Sequence, residues 1–93
     1  MYGLYWFDSP ERTNEDGSPK IPVLLDSFEE FPLGVAYRVQ IAQLLQRVFV
    51  YGLKWPIRYM ECAYIASLVM AIKNPKYDLP GGGLLFIQKI IVP

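Results

Sequence analysis

GVAYRVQIAQLLQRVFVYGLKWPIRYMECAYIASLVMAIK, Gly34 to Lys73, is a long apolar stretch that carries one narrow line of polar side chains. Wound at about 100° per residue, Gln40, Gln43, Arg47, Tyr51, Lys54, Arg58 and Glu61 fall within a sector of roughly 80°. Nearly all the rest of the circumference is apolar. The pattern predicts one long helix, about residues 33–73, that sits in a membrane or inside a larger assembly and meets something polar along one seam.

The first half runs from Leu33 to about Trp55, with an apolar arc (Val35, Val39, Ile41, Ala42, Leu44, Leu45, Val48, Phe49, Leu53) wider than a surface helix needs. Gly52, Trp55 and Pro56 then interrupt it. A proline removes a backbone hydrogen bond and presses on the carbonyl four residues back. Because the polar line keeps its phase across the break, a kink at Trp55–Pro56 is expected, a fresh helix with proline at its first position being the alternative. The second half, Ile57 to Lys73, spans about 25 Å at 1.5 Å per residue, just short of a bilayer core of roughly 30 Å. Cys62 to Ile72 has no charge; Trp55 and Tyr59 stand where interfacial anchors would, and Lys54 and Lys73 where cations snorkel. The fold expected is therefore mainly α: one long kinked helix with a single transmembrane segment, extended N- and C-terminal arms and no independent globular core. A buried helix in a soluble bundle is the competing account.

Outward from this helix the chain divides into three. Residues 1–31 form an aromatic N-terminus and an acidic arm. MYGLYWF at residues 1–7 is expected either to dock on a partner or bilayer interface or to form a short edge strand. Asp8 to Lys20 is a polar, turn-rich connector, and Ile21 to Phe31 begins extended because Pro22 restrains its predecessor. Residues 32–73 are the kinked amphipathic and transmembrane helix. Residues 74–93 are a Pro/Gly hinge, NPKYDLPGGG, followed by LLFIQKIIV, an apolar tail that is either strand-like or a short amphipathic piece.

Composition agrees with an object that needs company. Of 93 residues, 53% are hydrophobic and 15% aromatic, mean hydropathy is +0.19, and 19% are charged, against roughly 25% in an ordinary soluble domain. A chain this short buries only about 60–65% of its unfolded surface. Net charge is zero but unevenly placed: residues 1–31 hold seven acidic against two basic side chains, and residues 32–93 reverse that ratio.

Histidine is absent and Cys62 is the lone cysteine, so neither an intrachain disulfide nor a Cys/His metal site is available from this chain. The serines have no evident base, and Gly81–Gly83 lack the Gly-Lys-Ser/Thr ending of a phosphate loop. Catalysis, a cofactor and a metal are not expected. Zero net charge and cations spaced along an apolar helix also argue against nucleic acid. What remains is adhesion. Arg47, Tyr51, Lys54, Trp55, Arg58 and Tyr59 group basic and aromatic side chains suited to a phospholipid head group such as cardiolipin, or to acidic side chains of a neighbour. Arg58 and Glu61, three apart, are expected to form an intramembrane ion pair that glues subunits together.

In size, layout and lack of catalytic residues the whole chain resembles the supernumerary subunits of mitochondrial energy-transducing complexes, the respiratory chain complexes or the ATP synthase. That resemblance implies a non-catalytic accessory subunit of a large complex in the mitochondrial inner membrane, stabilising assembly and binding lipid. A soluble helical protein–protein interaction module is the alternative.

Overall fold

The computed structural model describes residues 1–71, 76–79 and 82–90, with the backbone alone at Tyr59 and Lys76. In order they form β1 (Tyr2–Phe7), β2 (Val23–Phe28), α1 (Val35–Leu45) running on into a π-helical segment (Gln46–Gly52), α2 (Tyr59–Val69), β3 (Lys76–Asp78) and β4 (Leu84–Lys89). The chain divides into two compact units, residues 1–31 with 76–93, and residues 32–75.

The first unit is a four-stranded antiparallel sheet in the order β2-β1-β4-β3. Its central pair comes from the two ends of the chain: Tyr2 faces Lys89 and Phe7 faces Leu84. Successive side chains of a strand point to opposite faces. On one face Leu4 stands opposite Ile87 and Trp6 opposite Leu85, and Leu4 and Leu85 are fully buried. On the other, Tyr5 stands opposite Phe86, their rings stacked at 5.5 Å, and Phe7 stacks on Phe86 at 5.8 Å. Both central strands are thus apolar on both faces, which is why neither shows the polar–apolar alternation of a half-exposed strand.

Close approach fixes two glycines. A Cβ at Gly3 would lie 2.7 Å from Leu24 Cδ1 and 2.8 Å from Tyr5 Cε2, so the bare backbone there lets the tyrosine ring lie over the strand. At Gly83 a Cβ would meet the Phe7 carbonyl oxygen at 2.8 Å. Where β2 pairs with β1 the register shifts between Leu4, opposite Asp26, and Tyr5, opposite Leu24, leaving Leu25 as a bulge.

The connector between β1 and β2 is itself folded. Asn14 N–H donates to Ser18 O at 2.7 Å, Lys20 N–H donates to Arg12 O at 2.9 Å, and Thr13 bridges Pro19. The Asp16 carboxylate accepts from the Ser18 hydroxyl at 2.6 Å and from Ser18 N–H at 3.0 Å, and these bonds, the hydroxyl's first, hold its pKa below the usual aspartate value.

The second unit is an antiparallel helical hairpin. One concavity is lined by Val35 and Arg38 with Ser67, Met70 and Ala71, and the next by Arg38, Val39 and Ala42 with Ala63, Tyr64 and Ser67, so numbers rise along α1 as they fall along α2. Ile41, Leu45 and Phe49, four apart, and Cys62, Ile65, Ala66 and Val69 are all buried. These spacings place one stripe on each helix.

The structure corrects the expected fold at three points. The long kinked helix does not exist: α1 and α2 have eleven residues each, and residues 53–58 between them are not helical. Lys54 adopts a left-handed φ of 60°, Leu53 N–H donates to Val48 O and Trp55 N–H to Phe49 O. Together they form a helix-ending closure wider than the usual one, as π-helical winding requires. The Trp55 ring then folds back onto Phe49 at 4.9 Å. Pro56 lies in this turn and kinks nothing, and Arg58 is the residue that opens α2.

The transmembrane segment is corrected with it. Eleven residues reach about 16 Å, and among the described residues no helix is long and apolar enough to cross a membrane. The expected membrane-spanning segment, and the membrane placement argued from it, lose that support. Finally, the two arms expected to be extended build a sheet with buried side chains of its own, including Leu4, Phe28, Leu85 and Ile87. The ends expected at Ile72, Lys73, Asn74, Pro75, Pro80, Gly81 and residues 91–93 lie outside the described residues.

Candidate functional site

The hairpin buries one stripe of each helix and leaves a second stripe of each unpacked. On α1 that stripe holds Val35, Arg38 and Val39, beside the fully buried Ala42; on α2 it runs from Met60 through Ala63 and Tyr64 to Ser67, and Ala71 follows just past the helix. The two run side by side along an open groove made of two adjoining concavities of about 440 and 280 Å³ that share Arg38 and Ser67.

Small residues, Ala42, Ala63 and Ser67, line it beside larger ones, Val39 and Tyr64, with Leu33 and Val35 toward the far end. Exposure decides how this surface is understood: Val35 is 65% exposed, Tyr64 63%, Leu33 51% and Val39 40%, while Met60, on the same stripe, is 82% exposed. The polar groups present are few. The Ser67 hydroxyl already donates to the Ala63 carbonyl oxygen at 3.0 Å, one turn back along the same helix, so it asks nothing of a ligand. Arg38 is exposed and lines both concavities, placing a five-donor guanidinium along the groove.

The residues singled out from the sequence lie at the turn end of this hairpin. Arg47 and Tyr51 are exposed on the π-helical segment, Lys54 is exposed in the turn, and Arg58 is exposed at the start of α2. Trp55 is withdrawn from the set, half-buried against Phe49. Tyr59 is the first residue of α2, and its side chain lies outside the described atoms. Arg58 and Glu61 do meet, through the backbone: the Glu61 carboxylate accepts from Arg58 N–H at 3.2 Å. That bond caps the first turn of α2, whose early N–H groups lack helical partners. Both residues are exposed, in a helix that is not a membrane span.

Two other places among the described residues hold side chains with binding or reactive chemistry. In the sheet unit an open hollow of about 410 Å³ is bordered by Phe7, Arg12, Leu84, Phe86 and Gln88. Its guanidinium is already committed. Arg12 lies 4.5 Å over the Phe7 ring and donates to the carbonyl oxygens of Ser9 and Glu11, extending the ring stack rather than awaiting a ligand. Cys62 is 1% exposed, and burial, then the nearby Glu61 charge, push its thiol above the usual pKa. It is protonated at neutral pH and out of reach of a substrate. Among the described residues no three His, Cys, Asp or Glu side chains group as metal ligands.

The groove residues were missed at the sequence level, although one signal was present. The apolar arc of residues 33–55 is too wide for a helix with one packed face, and the surplus at Val35 and Val39 now forms a groove wall. Comparison with family models, with curated proteins and with solved structures finds no match to this chain, so the geometry of the groove carries the functional reading.

Proposed function

We propose that the chain is a non-catalytic protein–protein interaction module, an accessory piece of a larger assembly, and that the groove between α1 and α2 is where a helix of a partner chain docks. One observation carries this: large apolar side chains that stay exposed line two concavities of the hairpin, Leu33 and Val35 one and Val39 and Tyr64 the other, and the two share Arg38 and Ser67. Scattered exposed apolar residues are ordinary, whereas a contiguous apolar groove is how helices are received. Two helices pack only one face each, and a third helix laid along the pair completes the three-sided packing from which small bundles are made. The reading does not call on a membrane span, none of the helices among the described residues being long and apolar enough to be one.

The test is site-specific photocrosslinking in the cells from which the chain comes. A photoreactive residue at Val39 or Tyr64 is expected to give a discrete adduct that disappears when Ala63→Trp fills the groove. The same group at Glu15, exposed in the connector, is expected to give none. Adducts independent of position, or unaffected by Ala63→Trp, would overturn the proposal.

A further inference from the structure

We infer that the helix received by the groove is an acidic amphipathic one, an apolar stripe flanked by Asp or Glu, with a carboxylate engaged by Arg38. The inference rests on the groove being a docking surface and adds the chemistry of its occupant.

Shape selects a helix. The lining residues recur at i, i+3, i+4 and i+7 on α1 (Val35, Arg38, Val39, Ala42) and at one-, three- and four-residue steps along α2 and just past its end (Ala63, Tyr64, Ser67, Ala71). Ridges with that spacing accept the ridges of another helix. Small side chains at Ala42, Ala63 and Ser67 allow its backbone to come near, with Val39 and Tyr64 on either side. Ala71 lies eight positions beyond Ala63, about 12 Å, so the contact takes roughly two turns of the partner. The Ser67 hydroxyl is satisfied within α2, so no polar backbone is needed opposite it.

Charge selects the sign. Among the described residues of the hairpin unit, Arg38, Arg47, Lys54 and Arg58 stand against Glu61, and all five are exposed. Glu61 keeps its charge, though one of its carboxylate oxygens accepts from the Arg58 N–H. The groove is therefore mostly apolar, with the Arg38 cation on its wall and a cationic excess at the turn end of the hairpin. A basic helix would be repelled, and so would a second copy docking groove to groove, since it would bring its own Arg38 and its own excess. A carboxylate suits the planar fork of Arg38 and gains both attraction and orientation from it.

The experiment uses the full chain and two fluorescently labelled peptides with identical Leu/Ala stripes, one flanked by Glu and one by Lys, each about 16 residues long so that helicity is not negligible. Binding is read by anisotropy at low and at high salt. The Glu peptide is expected to bind at least about tenfold more tightly than the Lys peptide at low salt, a difference that shrinks as screening increases. Arg38→Glu is expected to remove most of that preference, and Ala63→Trp to abolish binding of both peptides.

Other outcomes separate the two levels of the argument. Equal binding of both peptides, lost in Ala63→Trp, would overturn the acidic partner and leave the docking groove standing. Preference for the Glu peptide that survives both Arg38→Glu and Ala63→Trp would show attraction to the surface at large and overturn the inference. No binding of either peptide would bring down the groove as well. Concentration-dependent dimerisation in sedimentation, abolished by Ala63→Trp, would assign the groove to a second copy and overturn the acidic partner. Should Ala63→Trp fail to fold, Tyr64→Ala, a change at an exposed side chain, serves in its place with the same expectations.

Discussion

Replacing Gly3 with alanine tests the sheet where it is most crowded. The new methyl group would arrive 2.7 Å from Leu24 Cδ1 and 2.8 Å from Tyr5 Cε2, distances at which something must move. Tyr5 is also held by its stack with Phe86, so the ring cannot swing aside without losing that contact. Overpacking of this kind costs about 1–3 kcal/mol, which in a chain of this size lowers Tm by roughly 5–15 °C. The opposite sign is expected if Gly3 merely loosens an ordinary strand position, because alanine then stabilises by about 0.5–1 kcal/mol. Leu24→Ala supplies the second arm of a cycle. Its side chain is 49% exposed, so truncation alone should cost only about 1 kcal/mol, and it removes the nearer of the two obstacles. The double variant should therefore be more stable than the sum of the single changes predicts, by about 0.5–1 kcal/mol. Urea unfolding followed by the fluorescence of Trp6 and Trp55 reads all four proteins. A neutral or stabilising Gly3→Ala, or a cycle that closes additively, would refute the close approach of Tyr5 and Leu24 over β1.

Further outcomes follow from other places. Lys54→Gly should stabilise the chain by roughly 0.5–1 kcal/mol, because φ of 60° burdens a residue with a Cβ and suits glycine; urea titration checks it, and Lys54→Val should move the other way. Leu45→Ala, at a fully buried position of the hairpin, should cost about 2–5 kcal/mol by the same measurement. The raised pKa of Cys62 means that folding holds its proton more tightly than the unfolded chain does. Its contribution is therefore intact below the ordinary thiol pKa of about 8.5 and is lost as pH rises from there through the folded value. Stability measured from neutral pH upward should decline over that window in the wild type and less in Cys62→Ala. Ser18→Ala should bring the Asp16 carboxyl back up toward its ordinary range in an NMR titration, since the hydroxyl is the first cause of its depression.

The sequence announced some of this and concealed the rest for identifiable reasons. The strong apolar content of residues 33–73, the interruption around Gly52 to Pro56 and the turn chemistry of Asp8 to Lys20 all have counterparts in the structure. The nature of the interruption was hidden because a left-handed lysine leaves no mark in composition, and because Trp55 reads as an interfacial anchor when it is the ring that closes the turn on Phe49. The persistence of the polar line through Lys54 and Arg58 was coincidence, its phase meaningless once the helix stops. At the ends, MYGLYWF and LLFIQKIIV lack alternation because β1 and β4 are central strands with apolar side chains on both faces. Their partnership spans nearly the whole chain, and nothing local signals it. The groove was concealed more deeply: its residues become a surface only when α2 folds back along α1, which a single continuous helix does not allow.

The account stands on that reversal in the hairpin and on the meeting of the two chain ends, and one isotope-edited NOE experiment on the full chain reads both. It should show cross-strand contacts between Leu4 and Ile87 and between Tyr5 and Phe86, contacts between Ala42 and Ala63, and no helical connectivity through residues 53–58. Unbroken helical connectivity from residue 35 to residue 69, without contacts between β1 and β4, would contradict it and restore the single long helix.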